Sequence, residues 1–262
     1  MGGSEKGFKN LKKSLIMNSR KKSNQQNVDN MELLTKKVAT FEPEYDPSEE
    51  RLSIPNQIRI KASGDEVLLG VRAAESACNN ATSARSDAFN TLDPLVTRTI
   101  NALRISDVSE QTILQGESIV REIRNMRATV LTPSSKIPNG AQNGESKKIN
   151  KLHGGSFNTR IENFRRLIIL LSTIPAYKPK QVDLTIDSLN MKLETLNLVN
   201  TTYITAEAKA DAARVQRDSV LYAAKTGLVD IAMDSKLYVK SAYGATSPQF
   251  KSVSSILFTR RA

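Results

Sequence analysis

The chain has 262 residues, 38 Lys/Arg against 27 Asp/Glu, and a net charge of +11, with no Trp and 5% aromatic residues. That is long enough for a sizeable core, and it lacks the aromatic and turn content of a β-sandwich. A single cysteine, Cys78, excludes an internal disulfide and a cysteine metal cluster, a single histidine, His153, argues against a histidine metal site or Ser-His-Asp chemistry, and no apolar run approaches the length of a transmembrane helix.

Residues 1–60 read as an extended arm. Seven bases, Lys6, Lys9, Lys12, Lys13, Arg20, Lys21 and Lys22, face one acid, Glu5, up to Lys22. The stretch Phe41–Glu50 then holds five acids and no base. Such blocks are solvated. The basic block either grips an anionic partner (RNA, DNA or lipid) or only keeps the chain soluble. Phe8, Leu11 and Leu15 fall at i, i+3 and i+7 among the lysines, a short amphipathic pattern. The first residues carry no signal peptide, and Lys6 stands where a myristoylation motif needs Ser or Thr. Pro43, Pro47 and Pro55 keep 41–60 extended, and "IPNQIRI" alternates as a strand or strap does.

The first helical half is expected over 64–130. From Gly64 onward Val67, Val71, Ala74, Cys78, Ala81, Arg85, Ala88 and Leu92 alternate spacings of four and three. That is the seam of a long helix facing other helices. Asp93-Pro94 interrupts it, with Asp93 the cap and Pro94 in the first turn of a shorter helix. Asp107 to Glu110 has capping-box spacing ahead of a further helix.

Residues 131–156, rich in Pro, Gly, Asn and Ser, form a linker. The second half, 157–262, opens on a helix capped near Thr159. A second long helix starts near Gln181, with Leu189, Leu193, Leu196, Tyr203, Ala206, Ala210, Ala213, Arg217, Val220 and Ala224 along its seam. Gly227 breaks it. The next helix ends at Gly244, an expected left-handed cap.

The long helices match at an offset of 132. Ala74-Glu75 falls on Ala206-Glu207, Ala81 on Ala213, Arg85 on Arg217, and Leu95-Val96 on Leu228-Val229 after a one-residue insertion. The expected fold is all-α: an antiparallel bundle of two duplicated half-bundles with long kinked helices and a basic arm. Arg85 and Arg217 then occupy equivalent seam positions. They either form polar contacts that fix helix register or lie at the rim, with Asp87, Asp218 and Glu207 as candidate partners. Phe250, Val253 and Leu257 at i, i+3 and i+7 make the C-terminal tail a truncated third element. It packs on the bundle with Arg260 and Arg261 in solvent, or docks on a partner.

The stretch Lys236–Val253, with Thr226–Asp230 before it, resembles the C-terminal part of an uncharacterised all-helical family of Bacteroidota-type bacteria. That resemblance implies a bacterial protein with no assigned activity and no site residues. No phosphate loop, Glu-x-x-His pair, zinc finger or base-stacking ladder is present. The expected function is a non-enzymatic, cytoplasmic interaction or scaffold protein without cofactor, part of a larger assembly. Phosphate binding through the arm, to nucleic acid or ribosomes, is the alternative.

Overall fold

The structure is a computed structural model and describes residues 24–124 and 156–260. The seven bases from Lys6 to Lys22, His153, Arg261 and all but the last residue of the linker lie outside the described residues. Among the described residues every regular element is helical and no strand occurs. In chain order these are α1 (24–39), a 3-10 turn Glu50–Leu52, α2 (Ile54–Asn90), α3 (Leu92–Arg104) and α4 (Glu110–Ile123). After the linker come α5 (Phe157–Ser172), a 3-10 turn Val182–Leu184, α6 (Ile186–Tyr222), α7 (Leu228–Tyr243) and α8 (Pro248–Ser254).

Two expectations for the arm are corrected. Residues 24–39 are helical, and Val28, Met31, Leu34 and Val38 on one face are wholly buried. "IPNQIRI" is the start of α2, which begins ten residues before Gly64. Pro55 fits there because the first turn has no internal hydrogen bond for it to break. Ser53 caps the start, its hydroxyl accepting from Asn56 N–H at 3.4 Å. The acidic stretch is anchored too: Tyr45 is buried and its hydroxyl donates to Leu52 O at 2.9 Å.

Three caps also differ from expectation. α3 begins at Leu92, so Thr91 rather than Asp93 stands at its cap position and Asp93 lies inside the first turn. Ser109 rather than Asp107 caps α4, accepting from Thr112 N–H, and Ser156 rather than Thr159 caps α5, accepting from Thr159 N–H. Each serine has extended backbone immediately before the first helical residue, which places its oxygen over the free N–H groups. Gly244 ends α7 at φ 88° and ψ 154°, so glycine is required, but the conformation is not the left-handed helical one. At Gly227 a Cβ would fall 2.5 Å from Ala223 N, so only glycine admits this approach of backbone to backbone.

The chain forms two compact units, and the linker does not separate them. The terminal unit holds the residues up to Ala77 and from Glu207 on; the middle unit is Cys78–Ala206. The reason is that α2 and α6 each supply residues to both. The terminal core gathers α1, the first part of α2, the last part of α6, α7 and α8 around Met31, Leu34, Leu221, Leu228 and Val239. The middle core gathers the rest around Phe89, Leu103, Phe164, Leu167 and Leu196. Fully burying one such side chain contributes about 1.5–3 kcal/mol. Seam positions Val67, Val71, Ala81 and Leu92 are buried as the heptad spacing requires.

The two parts of the chain correspond element by element. Both long helices have 37 residues, and Ile54 and Ile186 begin them. Each is preceded by Pro-x-Tyr-x-Pro, and Tyr177 donates to Leu184 O at 2.9 Å as Tyr45 does to Leu52 O. One residue, Thr91, joins α2 to α3, whereas residues 223–227 join α6 to α7. The extra length is four residues, about one helical turn, not the single residue expected. Leu92, Thr99 and Leu103 therefore correspond to Leu228, Ser235 and Val239. Thr99 and Ser235 are both fully buried, and each donates to the carbonyl four residues back, at 2.9 and 2.8 Å.

One pair of contacts has its signs reversed between these equivalent places. In the middle unit Arg98 of α3 pairs with Asp183 of the second 3-10 turn. In the terminal unit Asp234 of α7 pairs with Arg51 of the first, at 2.7 Å.

Candidate functional site

The C-terminal tail is held against the terminal unit by side chains of α1 and α7. Ser247 caps α8, accepting from Phe250 N–H, and the helix stops at Ser254. Ser255 to Arg260 then run without helix. Val253 is wholly buried and Phe250 half-buried, whereas Leu257 is 74% exposed. The expectation that Leu257 packs is corrected. The chain has left the helix, so seven residues no longer return to the same face. Ile256 and Phe258 turn inward instead, and burial alternates as in extended chain.

Backbone atoms of this segment are taken up one after another. Asn27 of α1, 1% exposed, donates to Thr259 O and accepts from Thr259 N–H, both at 2.9 Å. Asn30, one turn on, donates to Leu257 O at 2.6 Å. Lys236 of α7 reaches Ile256 O at 2.6 Å and Ser254 O at 3.0 Å, and burial lowers its pKa. Lys37 caps α8 by donating to Ser252 O at 2.6 Å. Arg260 is exposed and pairs with Asp230 at 3.1 Å.

Arg85 and Arg217 lie in different units and have different environments. Arg85, in the middle unit, stacks between Tyr203 at 3.3 Å and Phe157 at 4.1 Å. Its Nη1 donates to Asn200 Oδ1 at 3.5 Å, and its buried Nε makes no hydrogen bond among the described residues. The electron-rich faces of the two rings attract the guanidinium in place of a carboxylate, and among the described residues no hydrogen bond or ion pair joins Arg85 to the candidate partner Asp87. Arg217, in the terminal unit, pairs with its neighbour Asp218 at 2.7 Å. Asp218 was one of the candidate partners. Replacing Arg85 by Lys keeps the charge but removes the planar stack. The expected cost in urea unfolding is about 1–2 kcal/mol, larger than that of Arg217→Lys.

A groove of about 550 Å³ opens on the middle unit between α3 and the start of α6. Its wall residues Val182 and Met191 are 78% and 60% exposed. Lys192 at its side is engaged with Ala88 O at 3.0 Å and Thr91 Oγ1 at 2.7 Å, and burial lowers its pKa. Among the described residues no group of three His, Cys, Asp or Glu could hold a metal, and no helix is long and apolar enough to cross a membrane.

Two shifted groups, one acid and one phenol, make stability depend on pH at the two ends of the scale. Hydrogen bonds from Lys36 and Lys61 hold Glu32 down at about 2. Its contribution is therefore full above about pH 4.5 and is lost as pH falls toward 2. Burial, with Asp183 nearby, pushes Tyr177 up to about 12. Its contribution is full below pH 10 and is lost as pH rises through 12. Melting temperature measured against pH should fall at both limbs. Glu32→Gln should flatten the acid limb and Tyr177→Phe the alkaline one.

Sequence reasoning missed Asn27, Asn30 and Lys236. Their bonds to the tail go to its backbone, which leaves no complementary side chain in the tail to find. Fold and sites together define an all-α protein of two helical units. Comparison with protein families, with curated proteins and with solved structures finds no match for this chain.

Proposed function

We propose that the protein is a non-enzymatic helical interaction protein, a cytoplasmic component of a larger assembly, that reaches an anionic partner through Lys6, Lys9, Lys12, Lys13, Arg20, Lys21 and Lys22. The observation that carries this reading is the partition of charge. The described residues hold 25 Lys/Arg and 25 Asp/Glu, so the whole net charge of +11 belongs to residues 1–23, 125–155 and 261–262. Electrically balanced helical units with the charge set apart suit a body with a separate electrostatic contact. The equal 37-residue helices support a duplicated origin for that body. The resemblance of Lys236–Val253 to a bacterial helical family belongs to the same reading.

The same partition favours a second reading, in which the partner is RNA or DNA and the seven bases neutralise phosphates without reading sequence. One experiment tests both: pull-down with the full chain and with a chain lacking residues 1–22, at low and high salt, with and without nuclease. The first reading expects a discrete protein that is lost with the arm and persists through nuclease. The second expects nucleic acid or ribosomes that leave steeply as salt rises. Equal capture by both chains under every condition would remove the arm from the function.

A further inference from the structure

We propose that the trough between α1 and α7 is a binding site for an extended peptide of the pattern apolar-x-apolar-x-basic, filled in cis by the chain's own Ile256–Arg260. Three observations converge. The occupant is held mainly through its backbone: Asn27 matches both the N–H and the C=O of Thr259, and Asn30 and Lys236 take the carbonyls of Leu257 and Ile256. Backbone capture of this kind accepts any residue at the outward positions, and Leu257 and Thr259 are indeed exposed. Specificity comes from the inward positions, where Ile256 is 5% exposed and Phe258 half-buried, and from Arg260 on Asp230.

The trough is also costly to leave empty. The tail closes the Asn27 amide off from water and supplies both of its 2.9 Å partners, and among the described residues its other contact is Tyr222 Oη at a long 3.4 Å. Emptying it would expose the apolar surface that Ile256 and Phe258 cover, so the trough favours an occupied state. A peptide of the same pattern would compete for it. The tail is therefore an internal ligand rather than only a packed end.

The test uses a chain ending at Ser255 and a fluorescein-labelled peptide of residues 254–262, read by fluorescence polarisation. The truncated chain should bind the peptide at least tenfold more tightly than the full chain, whose trough is filled. Asn27→Ala in the truncated chain, or Ile256→Asp in the peptide, should each weaken binding at least tenfold. A truncated chain of unchanged circular dichroism that does not bind, or equal binding by both chains, overturns the proposal. Should the truncated chain fail to fold, hydrogen exchange in the full chain decides. The Thr259 amide should exchange at least tenfold faster in Asn27→Ala, and faster again when excess peptide is added. Exchange at Thr259 that added peptide leaves unmoved overturns it, whatever Asn27→Ala does.

Discussion

Expressed together as two separate chains, residues 1–140 and 141–262 will purify as a one-to-one complex, and neither will fold as a monomer alone. Each compact unit takes α-helices from both sides of the cut: α1 with α7 and α8 in the terminal unit, α3 and α4 with α5 in the middle unit. Residues 1–140 alone would leave Val28, Met31, Leu34 and Val38 without the α7 face they bury against, and Ile119, Val120 and Ile123 without α5. At about 1.5–3 kcal/mol for each of these seven side chains, the loss is on the order of 10–20 kcal/mol, which matches or exceeds the stability of an ordinary domain. Size-exclusion chromatography and circular dichroism check the outcome. Two independently folded, separately eluting fragments would contradict the division into units described above.

Phe164→Ala should cost about 3–5 kcal/mol. Phe164 is the largest wholly buried side chain of the middle core, set on α5 among Leu167, Ile168 and Leu171. Truncation removes its transfer free energy and leaves a cavity that the helices fill only in part. Met31→Ala, at the matching place on α1, should cost about 2–5 kcal/mol. Hydrogen exchange separates the two. The first should weaken protection most in α3, α4 and α5, the second most in α1 and α7, since each touches one core.

The long seams were legible because burial on a helix follows a fixed period, and Val67, Val71, Ala81, Leu189, Leu193 and Leu196 obey it. The helix 24–39 was not. Its apolar face has four residues, and polar Asn27 and Thr35 share it because they have partners inside the unit. Prolines 43, 47 and 55 suggested extended chain up to Gly64, yet Pro55 sits in a first helical turn. The repeated Pro-x-Tyr-x-Pro and the following Leu-Ser/Thr-Ile would have dated both helix starts, had tyrosine-to-carbonyl geometry been readable from spacing. A count of residues alone also could not tell a one-residue insertion from a whole turn after α6, since only burial phase distinguishes them. At the candidate site Val253 was legible from helical spacing. Ile256 and Phe258 were not, because the period changes from 3.6 to 2 where α8 ends.

The reversed pairs, Arg98 with Asp183 and Arg51 with Asp234, act as a lock between parts that otherwise look interchangeable. If either half of the chain closed on itself, or two copies of one half came together, Arg51 would meet Arg98 and Asp183 would meet Asp234. Arg98–Asp183 is exposed and Arg51–Asp234 half-buried, and a solvent-reached pair is worth only about 0–1 kcal/mol when matched. Mismatch costs twice, since the attraction is lost and like charges are brought together. Two similar halves thus carry a polarity, like plug and socket, that lets each recognise the other and refuse itself.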